Sequence, residues 1–260
     1  MTKTRAEARV VLDVRDFDAA IFDMDGVVTQ TATVHAEAWK RLFDEYLAER
    51  VKRGRSGFEP FDIDVDYRGY VDGRPRYDGV QAFLASRGIS IPRGRPDDPP
   101  DRETICGLGN RKEGYFLARV ESEGVRPYAD TVRLIQQLRA AGVRRGIFSA
   151  SRNAEAILRA AGVIDLFDER IDGVVAEELG LAGKPSPDVL IELARRLEST
   201  PSRTVVFEDA IAGVQAGRAG GFRLVIGVNR GAQAGTLMGQ GADVEVRDLD
   251  GVEVVPRVWG

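Results

Sequence analysis

The chain has 260 residues, of which 43% are hydrophobic and 30% charged. This length and composition are typical of a globular protein of one or two domains. The formal net charge of −4 gives no electrostatic basis for binding nucleic acid. Cys106 is the only cysteine, which excludes an intrachain disulfide and a cysteine-based zinc cluster and leads us to expect a reducing, cytoplasmic location. There is no apolar run of about 18 residues, and the charged residues 1–9 contain no apolar stretch, so we expect no membrane partner and no secretory signal.

The first informative element is a short apolar run, Ala19 to Phe22, that leads into Asp23, Asp25 and Gly26. Such a run predicts a buried strand of a parallel sheet, and the carboxyl ends of such strands bind ligands in open α/β sheets. Gly26 lets the backbone turn, so the two carboxylates can approach a ligand from different angles. A solvated loop is the alternative interpretation of an isolated D-x-D-G. The polar residues 1–16 are expected to form a loose arm or an extra helical turn.

Residues 33–125 read as a mostly helical block without a convincing strand. Apolar residues at three- and four-residue spacing predict a helix from Thr33 to Lys52, with Thr33 as its N-cap. His35, the only histidine, lies in its first turn, where a solvated or core histidine is the alternative to a functional one. Further helices are predicted at 79–87 and 110–123, and loops at 54–66 and 92–103.

From Pro127 onward, predicted helices and strands alternate. The predicted helices are 131–141, 153–161, 187–197 and 210–219, and the predicted strands are 145–148, 171–175, 204–207, 224–227 and 243–246. Several helices end in glycine, as expected for a left-handed cap before a new strand. Alternation predicts an α/β fold, a doubly wound parallel-sheet (Rossmann-like) core with helices on both faces. We expect the core to comprise 1–32 and 127–260, with residues 33–126 inserted as a helical domain.

Polar groups follow three of the predicted strands, and a lysine lies in an intervening loop: Asp23 and Asp25, Ser149, Glu208 and Asp209, and Lys184. Strand ends of a parallel sheet converge on one crevice. Clustered carboxylates repel one another unless a cation lies among them, and all-oxygen ligation suits Mg²⁺. A hydroxyl and an ammonium group suit the oxygens of a phosphoryl group, and an aspartate can carry that group covalently.

Two other phosphate-binding motifs are excluded. Gly183-Lys184 is not a P-loop, because Glu178 occupies the first glycine position and Pro185 follows the lysine. The glycines at 213, 217 and 220 do not form G-x-G-x-x-G, and close packing of a helix on the sheet accounts for them better.

Taken together, Asp23-x-Asp25-Gly26, Ser149, Lys184-Pro185 and Glu208-Asp209 resemble the four motifs of the haloacid dehalogenase superfamily, in the same order over about residues 17–230. The helical insert resembles the mobile cap of that superfamily. Further segments are similar to its β-phosphoglucomutase-like family: Thr31 and His35 followed by Ala38-Trp39-Lys40, Ser149-Ala150-Ser151-Arg152-Asn153, and Gly73-Arg74-Pro75-Arg76-Tyr77-Asp78.

The resemblance implies a role for each matching residue. Asp23 is expected to be the nucleophile, and Asp25 the general acid and base. Thr31 and His35 are expected to position Asp25 and couple it to cap closure, and Arg76 to hold the second phosphate of a sugar. The implied Mg²⁺ site comprises Asp23, the backbone carbonyl of Asp25, Glu208 and Asp209. The implied substrate-binding residues are Gly73, Arg74, Arg76, Asp78, Ser149, Ala150, Ser151, Arg152, Asn153 and Lys184.

Two positions depart from the family pattern: Gln30 replaces an aspartate, and Asp72 stands where a lysine precedes the cap-loop glycine. The resemblance implies a sugar-phosphate mutase, most directly of β-glucose 1-phosphate to glucose 6-phosphate, for which a bisphosphate is a candidate activator. We expect a monomer, although the sequence does not fix the oligomeric state. A sugar-phosphate phosphatase and a non-catalytic module of a carbohydrate-metabolism assembly are the alternatives. A dehalogenase is disfavoured, because that chemistry needs neither Asp25 nor a metal.

Overall fold

Residues 10–55, 59–231 and 235–256 are described by a computed structural model of the chain. The chain divides into two units, which we call the sheet unit (Met1–Gln30 and Arg126–Gly260) and the helical unit (Thr31–Val125). No helix within the described residues is both long enough and apolar enough to cross a membrane.

The structure contains strands β1 Val10–Asp13, β2 Ala19–Asp23, β3 Arg144–Phe148, β4 Glu169–Ile171, β5 Thr204–Glu208, β6 Leu224–Val228, β7 Val244–Val246 and β8 Val252–Val255. Its α-helices are α1 Ala32–Lys52, α2 Arg76–Ser86, α3 Ile105–Glu123, α4 Ala129–Ala140, α5 Ala154–Ala160, α6 Gly173–Glu178, α7 Asp188–Arg196 and α8 Ile211–Ala219. A π-helix spans Ile63–Val71, and short 3₁₀ turns span Ile164–Leu166, Pro201–Arg203 and Met238–Gln240.

The main sheet of the sheet unit has six parallel strands in the order β4-β3-β2-β5-β6-β7. Every residue of β2 and of β5 is buried, as expected for central parallel strands covered by helices on both faces. Phe22 of β2 stacks on Phe207 of β5 with ring centroids 4.4 Å apart, and burying one such side chain contributes about 1.5–3 kcal/mol. The predicted doubly wound α/β class is confirmed.

Glycines end three of the helices that lead into strands, as predicted, whereas α7 is followed by Glu198 with φ of +50°. Gly142 and Gly162 follow α4 and α5 with φ of +76° and +68°. After α8 the left-handed residue is Gly221, with φ of +67°, and its predecessor Gly220 remains helical. Glycine adopts this conformation at a much lower energy than other residues, so these helix ends can be predicted from the sequence.

A second sheet consists of β1 paired in parallel with β8. The prediction of a loose arm or helical turn for residues 1–16 was therefore wrong for the described part, and residues 1–9 lie outside it. Val10 and Leu12 are buried while Val11 is 54% exposed, which is the alternation of a strand. An alternation over only four residues is too short to indicate a strand when the partner strand is not known.

The helical unit has an aromatic core and no strand among its described residues. Phe43 packs on Phe83 and Phe61 at centroid distances of 3.9 and 5.2 Å, and on Trp39 at 5.4 Å. Aromatic pairs of this kind add about 0.5–1.5 kcal/mol to the burial of their area.

Several predicted boundaries were wrong. α2 begins at Arg76 rather than Gly79, and α4 begins at Ala129 rather than Thr131. The π-helix occupies part of the loop expected at 54–66, because Asp62 caps it by accepting hydrogen bonds from the backbone N–H groups of Asp64 and Val65. α3 begins at Ile105 rather than Asn110, since the Thr104 hydroxyl caps it. α1 begins one residue before Thr33, with Thr31 at the N-cap but without a side-chain capping bond.

The strand predicted at 171–175 ends at Ile171, and α6 follows it. Asp172 accepts hydrogen bonds at 3.0 Å from the backbone N–H groups of both Val174 and Val175. Because an aspartate can cap a helix, this local bond overrides the strand preference of the two valines.

Candidate active site

The sheet unit places Asp23 at the end of the central strand β2, with only 4% of its surface exposed. The chain then turns: the Gly26 N–H donates to the Thr29 carbonyl at 2.8 Å, and φ of Gly26 is +89°. A Cβ atom at this position would lie 1.8 Å from Oδ2 of Asp209. Only glycine therefore fits, and the turn presents Asp25 beside the strand end.

Lys184 connects two of the acidic side chains. Its Nζ lies 2.5 Å from Oδ1 of Asp23 and also donates to Oε1 of Glu208. The other Glu208 oxygen accepts a hydrogen bond from the backbone N–H of Ala210 at 2.6 Å. The ammonium group also lies 4.3 Å from the ring centroid of Phe148. A buried cation thus holds two buried carboxylates in defined positions.

The buried charges shift one another's pKa values. Burial raises the pKa of Asp23 well above its usual value; the charge of Lys184 opposes this, while Glu208 and Asp25 reinforce it. Burial would lower the pKa of Lys184, but Asp23 and Glu208 outweigh it and raise that pKa. Lys184 therefore stays protonated, and its single charge does not fully compensate the carboxylates around it.

Ser149 follows β3, and its side chain contacts Asp25. Its hydroxyl donates to Oδ2 of Asp25 at 3.2 Å and accepts from the backbone N–H of Ser151 at 3.0 Å. The next hydroxyl along the loop, that of Ser151, accepts from the N–H of Asn153 at 3.2 Å. In the same loop, Arg152 forms an ion pair with Glu177. The segment from Ser149 to Asn153 is thus held by hydrogen bonds between residues two apart in the chain.

Carboxylate oxygens of Asp23, Glu208 and Asp209 lie within 4.8 Å of one another. Lys184 does not fully neutralise the charge of these three carboxylates, which we call the acidic centre. Carboxylate oxygens are the donors that Mg²⁺ prefers, so the donor set fits this ion. The side chain of Asp25 is not part of this group, and the sequence assigned Asp25 to the metal site through its backbone carbonyl.

The helical unit contains the remaining predicted residues. Thr31 is 2% exposed at the start of α1. Nδ1 of His35 lies 2.6 Å from Nζ of Lys112, and the histidine ring stacks on Phe116 with centroids 4.0 Å apart. The sequence did not indicate Lys112, which is only 3% exposed in α3. Its spacing of four residues from Phe116, which places both on one face of the helix, is the only signal for it in the sequence.

The cap-loop residues lie around the start of α2. Gly73 has φ of +67°, and Arg74 is partly buried beside it. Arg76, the first residue of α2, forms a 2.9 Å ion pair with Glu113 of α3, a partner that the sequence did not indicate. Asp78 is 3.9 Å from Arg93 in an exposed pair.

One further side chain contacts the turn that carries Asp25. Arg230, which follows β6, donates from Nε to the carbonyl of Gly26 at 3.1 Å. The sequence signal for Arg230 is its place just after β6, the strand next to β5 in the same sheet.

The parallel sheet and the acidic centre at its carboxyl edge define a class of α/β phosphotransferases and phosphatases. The family model of a haloacid dehalogenase-like hydrolase matches residues 17–221, and the chain belongs to this family. It is 46% identical over 234 residues to a β-phosphoglucomutase of Mycobacterium bovis, which covers 89% of each chain.

Other relatives show how broad the family is. The chain is 29% identical over 215 residues to a fructose-1-phosphate phosphatase of Escherichia coli, covering 79% of this chain and 93% of that protein. A crystal structure of β-phosphoglucomutase from Clostridium difficile shares the fold, with a TM-score of 0.68 and 24% identity over 90% of this chain and 92% of that one. The predicted membership of the haloacid dehalogenase superfamily and the predicted similarity of the chain to β-phosphoglucomutases are confirmed. The chain is an enzyme of this superfamily.

Proposed function

We propose that the protein is a Mg²⁺-dependent enzyme that transfers a phosphoryl group through an aspartyl-phosphate on Asp23, and that it converts β-glucose 1-phosphate to glucose 6-phosphate. The observation that carries the proposal is the position of Lys184 between Asp23 and Glu208, beside the contact of Ser149 with Asp25. The identity of 46% to a β-phosphoglucomutase supports the choice of reaction.

In the first half of the reaction, a carboxylate oxygen of Asp23 attacks phosphorus. The new O–P bond forms as the P–O bond to the sugar breaks, and the departing sugar oxygen takes a proton from Asp25. In the second half, a sugar hydroxyl gives its proton to Asp25 while its oxygen attacks the same phosphorus, which releases Asp23. Asp25 thus ends as it began, and no proton is gained or lost.

The neighbouring groups have distinct tasks. Lys184 keeps Asp23 oriented and offers its ammonium to the phosphoryl oxygens, and Ser149 offers a hydroxyl donor. Mg²⁺, held by Asp23, Glu208, Asp209 and the backbone carbonyl of Asp25, would supply the charge neutralisation that a transferring phosphoryl group needs. The loop from Ala150 to Asn153 lines the entrance for the sugar.

In our proposal, residues of the helical unit recognise a second phosphate group, which a mutase needs and a phosphatase does not. A mutase must recognise the second phosphate of a bisphosphate, and an arginine is well suited to bind it through two parallel hydrogen bonds. We assign this task to Arg76, aided by Gly73, Arg74 and Asp78, and we assign the orientation of Asp25 to Thr31 and His35. A bisphosphate activator, a monomeric state and a cytoplasmic location remain predictions.

The alternative is a sugar-phosphate phosphatase, which the Escherichia coli relative favours. A non-catalytic module is disfavoured, because every acidic residue of the centre is present and the relatives are enzymes.

The deciding experiment follows glucose 6-phosphate and inorganic phosphate in parallel, with β-glucose 1-phosphate, Mg²⁺ and glucose 1,6-bisphosphate as primer. We expect isomerisation to be faster than phosphate release. Arg76→Ala should greatly reduce isomerisation but leave hydrolysis of p-nitrophenyl phosphate nearly intact. Arg119→Ala, which removes an exposed arginine of the same unit, is the matched control and should change neither. If phosphate release is faster for every β-hexose 1-phosphate tested, the phosphatase alternative replaces the mutase.

A further inference from the structure

Two side chains from distant segments of the sheet unit hold the turn that carries Asp25. Nε of Arg230 donates to the Gly26 carbonyl at 3.1 Å. The Thr131 hydroxyl donates to the next carbonyl, that of Val27, at 2.7 Å. Nη2 of Arg230 also donates to this hydroxyl, at 2.9 Å. The two side chains, which we call the Arg230–Thr131 clamp, are therefore connected and bind two successive carbonyls of the turn.

The clamp is itself held in place by its neighbours. Thr131 is 0% exposed, and the Arg230 side chain is 17% exposed. Nη1 of Arg230 donates to Oδ2 of Asp130 at 2.9 Å, and the guanidinium carbon lies 3.6 Å from the ring centroid of Tyr128. A charge-assisted hydrogen bond is strong and directional, so the ion pair and the ring together fix the plane of the guanidinium group. The clamp can therefore impose one position on the turn.

The turn needs such support because the residue after Asp25 is a glycine. Gly26 has φ of +89° and no side chain to restrict it, so hydrogen bonds from outside select among the conformations open to it. The Ser149 hydroxyl donates to Oδ2 of Asp25 at 3.2 Å, whereas Arg230 holds the adjoining backbone through the Gly26 carbonyl. A rotation at Gly26 would move the Asp25 carboxylate from its position. A misplacement of about 1 Å in a reacting group can slow catalysis about 100-fold.

We propose that Arg230 and Thr131 are positioning residues for catalysis: by fixing two carbonyls of the turn, they hold Asp25 where it protonates the departing oxygen. This inference rests on the proposed function, in which Asp25 is the general acid. In that step the P–O bond to the leaving group breaks as Asp23 bonds to phosphorus, and the departing oxygen takes the proton of Asp25. An alcohol oxygen needs this proton in order to leave, whereas p-nitrophenolate is a stable anion and leaves without it.

The test compares p-nitrobenzyl phosphate with p-nitrophenyl phosphate, two probes of similar shape whose leaving groups are an alcohol and a phenol. With the enzyme in excess and Mg²⁺ present, chromatography of the alcohol or phenol released in the first turnover reports only the transfer to Asp23. In Arg230→Met and in Thr131→Val, the rate for the benzyl ester should fall roughly 10- to 100-fold, and the rate for the phenyl ester less than about 3-fold. Thr131→Ser keeps the hydroxyl and should keep the wild-type ratio of the two rates. The near-isosteric Thr131→Val covers the case in which Arg230→Met fails to fold.

A buried arginine at the opposite edge of the same sheet is the matched control. Arg145 is 8% exposed, donates to two backbone carbonyls and pairs with Asp168. It lies near the amino end of β3, whereas Asp23 lies at the carboxyl end of the adjacent parallel strand. Arg145→Met should therefore destabilise the protein, as Arg230→Met does, but leave the ratio unchanged. A smaller folded fraction lowers both rates equally, so the ratio separates positioning from stability.

Asp25→Asn provides the reference for a lost general acid and should change the ratio at least as far as Arg230→Met does. If Asp25→Asn changes the ratio but Arg230→Met and Thr131→Val do not, the inference is overturned while the proposed function stands. It is also overturned if Arg145→Met changes the ratio as far as they do, or if Thr131→Ser behaves like Thr131→Val. An unchanged ratio in Asp25→Asn would remove Asp25 as the general acid and refute both proposals at that step.

Discussion

Arg230 donates a hydrogen bond from Nε to the backbone carbonyl of Gly26 at 3.1 Å and so joins the loop after β6 to the turn that carries Asp25. The same guanidinium group donates to Oδ2 of Asp130 and to the hydroxyl of Thr131, both at 2.9 Å, and stacks 3.6 Å from the ring centroid of Tyr128. Three segments that are distant in the chain therefore meet at one side chain.

Replacing Arg230 by methionine should lower the free energy of unfolding by about 2–3 kcal/mol, because the Gly26 carbonyl and the Asp130 carboxylate each lose a donor. Urea denaturation measures the change. The control is Arg133→Met, which breaks a pair whose side chains are 56% and 62% exposed and should cost less than about 0.5 kcal/mol. Equal effects in the two variants would show that Arg230 does not hold the turn.

The stability of the sheet unit should depend on pH through Asp130. Burial alone would raise the pKa of Asp130, but hydrogen bonds from the Leu249 N–H and Arg230 outweigh it, so the pKa lies below its usual value. The stabilisation from this group is present above the unfolded pKa, near 4, and is lost as the pH falls through the lower folded pKa. Asp130→Asn should therefore be less stable than the wild type at pH 7, and the difference should shrink toward pH 3. Urea midpoints across this range measure it, and a constant difference would contradict the assignment.

Gly26→Ala should destabilise the protein more than a glycine-to-alanine change at a positive φ does by itself. The new Cβ atom would meet the Asp209 carboxylate at 1.8 Å, so Asp209 or the turn must move. We expect Mg²⁺ to raise the melting temperature of the wild type, and we expect Gly26→Ala to lose this rise. Gly142→Ala is the control: φ is +76° there too, but the space is open, so it should cost only about 1–2 kcal/mol and keep the response to Mg²⁺. An unaltered Mg²⁺ response in Gly26→Ala would separate Asp209 from the metal site.

Asp23→Asn should abolish turnover while only weakening the binding of Mg²⁺. A carboxamide cannot act as the nucleophile, yet it retains one oxygen for a metal. Product formation and calorimetric titration with Mg²⁺ measure the two effects separately. Phosphoryl transfer at a rate near that of the wild type would exclude Asp23 as the nucleophile.

Much of the fold was determined by local sequence. The strands β2 and β5 are short apolar runs because both faces of a central parallel strand are buried, and such runs are recognisable without a partner. Gly142 and Gly162 marked helix ends because few other residues adopt a left-handed backbone cheaply. The acidic residues Asp23 and Glu208 stood directly after those runs, so the parallel order of the sheet sufficed to predict that they converge.

Other features were decided only by the tertiary structure. β1 could not be predicted, because its partner β8 lies at the far end of the chain and a four-residue alternation carries little information by itself. The pairs Arg76–Glu113 and His35–Lys112 join helices that are separated in sequence, and a charged residue on a helix does not reveal which distant charge it meets. Local conformation depends on neighbours along the chain and can be read from them, whereas a side-chain pair depends on how helices and strands pack, and that is settled only when the whole chain has folded.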